Sequence, residues 1–144
     1  SRNLKEEAQK KGVNPNRTIF ASYVTSEEHL KCIPLADLFL DTYPYNAHTT
    51  ASDAIRMGIP IITITGNSFA SRVGSSILTS VNMKELITLD KENYQKLAIE
   101  LGRETNKIKT LKDKLRDTLV KSSLFDSLKF TKNLEALYSK LLRN

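Results

Sequence analysis

Apolar residues along the chain switch between two spacings. Short, nearly continuous runs, LFLD at 38–41, IPIITIT at 59–65 and LITL at 86–89, have the length and density of strands buried on both faces. Elsewhere the spacing is helical or broken by turn residues. LKEEAQKKG (4–12) predicts a helix stopped by Gly12, and NPNRTIFASYV (14–24) a turn running into a strand centred on Ile19 and Phe20. TSEEHLKCIPLA (25–36) opens on Thr and Ser followed by acids, as helix starts do. TASDAIRMG (50–58) predicts a helix closed by Gly58, and NSFASRVGSSILTSV (67–81) another. From Asp90 onward everything reads as helix, with Tyr94, Leu97, Ala98 and Leu101 on one face and Phe130, Leu134, Leu137 and Leu141 on another.

Strand and helix in alternation, with unbroken apolar strands, predict an α/β fold: a parallel sheet covered on both sides. No repeat, low-complexity stretch or linker interrupts it. The pattern yields about four strands where a complete doubly wound sheet has about five or six. The expectation is therefore one partial lobe over 1–144, the C-terminal part of a longer domain, with 90–144 as its helical end.

Composition narrows the class. With 144 residues, 40% of them hydrophobic, the chain can bury one ordinary core. No apolar run is long enough to span a bilayer, and SRNLKEEAQKKG lacks the apolar centre of a signal peptide, so a cytoplasmic protein is expected, with no membrane partner. The single cysteine, Cys32, cannot form an internal disulfide and is read as packing rather than nucleophile.

The net charge of +6 raises the question of nucleic acid. Up to residue 80 there are 8 Lys/Arg against 7 Asp/Glu, and from residue 81 there are 14 against 9. The excess lies along RETNKIKTLKDKLRDTLVK, where Ile108, Leu111, Leu115 and Leu119 keep helical spacing and the lysines take the other faces. No aromatic residue interleaves with those lysines, as a single-strand platform requires, so no nucleic-acid partner is expected.

Candidate chemistry concentrates in NAHTTASD (46–53), where the LFLD strand gives way to a helix. Ligands of parallel α/β sheets bind at such turns. A diphosphate over Thr49 and Thr50 would meet unpaired N–H groups, the positive end of the helix dipole and two hydroxyls. Asp53, one turn further, could accept from ribose hydroxyls, and His48 could donate to a phosphate or sugar. A plainer reading stands beside this: Thr49 or Thr50 caps the helix, Asp53 offsets its dipole, and His48 satisfies a loop carbonyl. On spacing alone the plainer reading has a slight advantage. Neither G-x-G-x-x-G nor G-x-x-x-x-G-K-[ST] is present, and His29 and His48 lie far apart with no ligand cluster, so no metal is expected.

The run SEEHLKCIPLADLFLDTYPYNAHTTASDAIRMGIPIITITGNSFASRVGSSIL resembles the C-terminal catalytic lobe of protein O-linked N-acetylglucosamine transferases, glycosyltransferase family 41, including bacterial members with tetratricopeptide repeats. The order and spacing of EEH, LAD, LDT, HTT, D, G-P, G and ASRV carry the likeness, from about residue 4 to the end. A compound pattern of this length outweighs the plainer reading of the HTT turn.

The resemblance implies a GT-B fold, in which two Rossmann-like domains face one another and the C-terminal one holds the nucleotide sugar. By position, Thr49 and Thr50 would contact the diphosphate of UDP-N-acetylglucosamine, His48 would lie near phosphate and sugar, and Asp53 would bind the ribose. The backbone of Val24 and the ring of His29 would read the uracil. Ser26 stands where the family carries a lysine and Cys32 where it carries an arginine, which weakens the nucleoside contacts. The family's diphosphate-binding lysine and its N-terminal lobe lie upstream, so no catalytic residue is assigned within this chain. It is expected to be inactive alone and to bind UDP weakly. The implied reaction is inverting transfer of N-acetylglucosamine to Ser or Thr hydroxyls of an acceptor protein, with no cofactor. UDP-glucose transfer to asparagine and a non-catalytic binding module are the alternatives.

Three further positions carry expectations. Gly66 is read as permitting a tight turn near the nucleotide, or equally as a turn residue only. Ser71 and Arg72 open the next helix, Arg72 reaching a phosphate or bracing the sheet. The terminal helix with Phe130, Leu134, Leu137, Tyr138 and Leu141 is expected to pack back across the lobes.

Overall fold

The computed structural model describes residues 2–142. Three short strands, β1 (Phe39–Leu40), β2 (Ile61–Ile64) and β3 (Ile87–Thr88), form a parallel sheet in sequence order. Helix α1 (Arg2–Lys10) and helix α2 (Ser26–Cys32) precede it. α3 (Thr49–Arg56) links β1 to β2, and α4 (Val73–Ser80) links β2 to β3. α5 (Lys91–Arg103), α6 (Thr105–Lys121) and α7 (Ser127–Leu141) follow. Parallel pairing requires a crossover between strands, and the two helical connections supply it. The α/β, Rossmann-like class read from the sequence is the class observed.

β2 is central and all four of its residues are buried, as a run without polar alternation demands in a sheet covered on both faces. Phe39 and Leu40 pair with Ile61 and Ile62, and Thr63 and Ile64 pair with Ile87 and Thr88. α3, α4 and α5 pack on β2. Ile55, Ile61, Ile62, Leu78, Met83, Leu86 and Leu115 are the largest apolar side chains of the core, each worth about 1.5–3 kcal/mol on burial. Ile108 and Leu115 bring α6 into the same cluster.

Local sequence sets the element ends. Thr25 caps α2: its hydroxyl accepts from Glu28 N–H at 3.3 Å, while the Glu28 carboxylate accepts from Thr25 N–H at 2.9 Å, a reciprocal capping box. The Thr25 N–H and the Thr25 hydroxyl, each donating to the carboxylate at 2.9 Å, hold the Glu28 carboxyl below its ordinary pKa. α3 buries Ala51, Ala54 and Ile55 on one face and stops where Gly58 takes φ 79°, a left-handed conformation that glycine adopts without steric cost.

Three expectations are corrected. Residues around Ile19 and Phe20 form no strand: Ile19 is 87% exposed, and among the described residues no strand lies beside this segment or beside the outer edge of β1. β-propensity reflects packing on a neighbouring strand, and here none is present to pair with. The sheet therefore has three strands rather than four. Gly66 does not adopt positive φ; a Cβ there would lie 2.5 Å from Ser71 Oγ and 3.3 Å from Tyr43 Cε2, so close approach is what requires glycine. Ser71 belongs to a 3₁₀ turn, Phe69–Ser71, that precedes α4, and Arg72 is the N-cap. The expected packing of α7 across the lobes concerns a partner surface that is not part of this chain; within the chain α7 buries no residue, and Phe130, Leu137, Tyr138 and Leu141 are exposed. Among the described residues no helix is long and apolar enough to cross a membrane.

Candidate functional site

Asp41, the acid that ends the first apolar run, organises the loop beyond it. It is 5% exposed. Its Oδ1 accepts from the N–H groups of Thr42 and Ala47 at 2.8 and 2.7 Å, and its Oδ2 accepts from the Thr63 hydroxyl at 2.6 Å. One carboxylate thus ties both ends of residues 42–47 to the middle of β2. Charge-assisted bonds of this kind are about twice as strong as neutral ones. The Tyr94 hydroxyl of α5 donates to the Asp41 carbonyl at 2.8 Å. Burial, with the Asp41 charge nearby, pushes its pKa up to about 12.

Asn46 is the second brace and is fully buried. Its amide nitrogen donates to the carbonyls of Thr42 at 2.9 Å and Ile64 at 3.4 Å, and its side-chain oxygen accepts from Gly74 N–H at 3.3 Å. Its backbone N–H donates to the Ala70 carbonyl at 2.8 Å. A Cβ at Gly74 would lie 2.5 Å from Thr63 Oγ1 and 2.6 Å from Asp41 Oδ2. Glycine is what lets α4 approach this network.

The braced loop delivers the start of α3 to the C-terminal end of β1. His48 is the N-cap and makes no side-chain capping bond. Thr49 and Thr50 are exposed, and among the described residues neither hydroxyl is paired and the N–H groups of Thr49, Thr50 and Ala51 meet no acceptor. These are the orphan donors of a helix start, carrying the positive end of its dipole. The capping role that spacing alone allowed to either threonine is not taken by either. An open cleft of ≈ 560 Å³ lies in front of them, lined by Phe39, Leu40, Thr42, Tyr45, Asn46, Ala47, His48, Thr49 and Thr50.

His48 Nε2 is buried without a hydrogen-bond partner, so His48 satisfies no loop carbonyl through that atom. Its ring stacks on Tyr45, with centroids 5.1 Å apart and planes 13° apart, and meets Phe69 edge-on at 5.8 Å. Asp53 is partly buried one turn into α3 and does not line the cleft. Val24 lies in the irregular segment before α2 and His29 on α2, both exposed; neither stacks on the HTT turn. The structure thus brings His48, Thr49 and Thr50 together, keeps Asp53 on the same helix, and leaves Val24 and His29 on a separate segment. Ser26 and Cys32 are the first and last residues of α2 and are exposed. Among the described residues no three His, Cys, Asp or Glu side chains gather as a metal centre requires.

Sequence reading missed Asp41, Asn46, Thr63 and Tyr94. The acid closing an apolar strand was the one visible signal.

Residues 1–134 match glycosyl transferase family 41. The Petunia hybrida protein named "Probable UDP-N-acetylglucosamine--peptide N-acetylglucosaminyltransferase SPINDLY" is 33% identical over 133 residues, which cover 92% of this chain and 14% of that protein. The Caenorhabditis elegans UDP-N-acetylglucosamine--peptide N-acetylglucosaminyltransferase is 31% identical over 131 residues, 91% of this chain and 11% of that protein. A solved structure of an O-GlcNAc transferase mutant from Thermobaculum terrenum superposes with a TM-score of 0.89 at 32% identity, covering 99% of this chain and 27% of its own. The chain spans a small part of the length of each.

Proposed function

The chain belongs to glycosyl transferase family 41, and we propose that it forms the UDP-sugar-binding lobe of an inverting transferase that moves N-acetylglucosamine from UDP-N-acetylglucosamine to Ser or Thr hydroxyls of proteins. The observation that carries this reading is the start of α3: free N–H groups and free threonine hydroxyls opening into a cleft at the C-terminal end of β1. Such a group of donors is complementary to a diphosphate. The names of the relatives support UDP-N-acetylglucosamine as donor and a peptide as acceptor.

In this reading the acceptor oxygen bonds to the anomeric carbon as the bond from that carbon to the β-phosphate oxygen breaks, with inversion. Negative charge grows on the departing UDP, and fixed donors at Thr49 and Thr50 stabilise it more in the transition state than in the ground state. Asp53 receives the ribose hydroxyls, and Val24 and His29 flank the uracil. The group that takes the acceptor's proton is not assigned to this chain. Transfer needs the facing lobe, so the chain alone binds UDP weakly and does not turn over.

Titrating UDP into the chain while following the amide signals of Thr49, Thr50 and Asp53 by NMR tests this, with CMP and pyrophosphate as controls. Shifts at those amides that favour UDP over CMP are expected, with UDP-N-acetylglucosamine bound in preference to UDP-glucose. An equal response to CMP, or shifts confined to other elements, would overturn the assignment.

A further inference from the structure

The imidazole of His48 is gripped by rings on two sides while its buried Nε2 is left unpaired. Functional histidines are usually oriented by a hydrogen bond at the second ring nitrogen. Here the orienting contacts are aromatic: Tyr45 lies parallel to the ring, and Phe69 presents its edge at 86°. We propose that Tyr45 and Phe69 are positioning residues for the donor: they fix the plane of the His48 ring so that its accessible edge, and not the buried Nε2, meets the diphosphate and sugar.

The two rings come from different segments. Tyr45 belongs to the loop tied down by Asp41, and Phe69 to the 3₁₀ turn ahead of α4, where Ser68 and Ser71 cap one another. The bond from Asn46 N–H to the Ala70 carbonyl joins loop to turn at 2.8 Å. The clamp therefore closes only when both segments are seated. Tyr45 is 65% exposed and Phe69 80% exposed, so neither fills the core and truncating either leaves no buried cavity. Both contacts have the separations of favourable aromatic pairs.

This inference rests on the cleft being a UDP-sugar site, and the test separates the two ideas. UDP affinity is measured by NMR titration for the unaltered chain, Tyr45→Phe, Tyr45→Ala and Phe69→Leu, and for the same changes combined with His48→Ala. Tyr45→Ala and Phe69→Leu should each weaken UDP about three- to tenfold, the range of an aromatic pair. Tyr45→Phe keeps the ring and should stay within about twofold, and in the His48→Ala background neither truncation should cost more than that. A loss from Tyr45→Ala that persists undiminished without His48 would mean the tyrosine acts by itself, and the proposal would fail. It would fail equally if UDP bound and neither truncation weakened it. If the unaltered chain gives no response to UDP at the HTT turn, the assignment of the cleft falls, and the clamp with it.

Discussion

The Asp41 carboxylate and the Thr63 hydroxyl meet at 2.6 Å between neighbouring strands, and the same carboxylate holds both ends of the loop that carries His48 into place. Shape at the cleft is thus set from inside the sheet. Asp41→Ala strips the acceptor from the buried Thr63 hydroxyl and from the partly buried N–H groups of Thr42 and Ala47. A buried group left unpaired costs about 1–3 kcal/mol, and a loss of about that size in urea unfolding is expected. Asp41→Asn should be milder, because its amide oxygen can still accept from the two N–H groups. Equal losses for the two variants would show that the bonds to Oδ1 contribute little.

Thr50→Ala removes a hydroxyl that faces the cleft without a partner. If it donates to the diphosphate, UDP should bind more weakly by about 1.5–3 kcal/mol, the range for a hydrogen bond to a charged group. Asp53→Ala should weaken UDP more than pyrophosphate. Unchanged UDP binding in the first variant, or equal losses of both ligands in the second, would remove those roles.

Two glycines in helices should respond with opposite sign. At Gly74 a methyl group would sit 2.5 Å from Thr63 Oγ1, so Gly74→Ala should destabilise by about 1–3 kcal/mol, as overpacking does. At Gly102, in α5, a Cβ meets nothing within 4 Å, and Gly102→Ala should stabilise by about 0.5–1 kcal/mol. Chemical unfolding midpoints at constant m-value would check both.

Tyr94 gives the fold an alkaline limit. The folded chain keeps its phenol proton up to about pH 12, whereas the unfolded chain releases it near pH ~10. Between those values the unfolded state binds fewer protons, so stability falls as pH rises. Tyr94→Phe should flatten that slope while lowering stability at neutral pH through loss of the bond to the Asp41 carbonyl. An unchanged slope would place the alkaline transition in another group.

The apolar runs at 38–41, 59–65 and 86–89 announced the sheet, but only β2 is buried on both faces as such a run predicts; Leu40 of β1 and Leu89 beyond β3 are exposed. The HTT turn was legible because its place after a strand and before a helix follows from chain order. Asp41 and Asn46 were harder to read. Their roles depend on Thr63 and Gly74, partners 22 and 28 residues away, which no local pattern brings together. Ile19 and Phe20 misled because two β-formers without a neighbouring strand have no ladder to join. Gly66 was assigned to a turn conformation when its requirement is clearance from Ser71 and Tyr43.

The bonds that shape the HTT turn leave the hydroxyls at its tip unused. Asp41 and Asn46 hold the loop through main-chain groups, while the hydroxyls of Thr49 and Thr50 and the buried Nε2 of His48 make no bond that holds it. Substitutions at 48, 49 or 50 can therefore alter what is bound without unfolding what presents it.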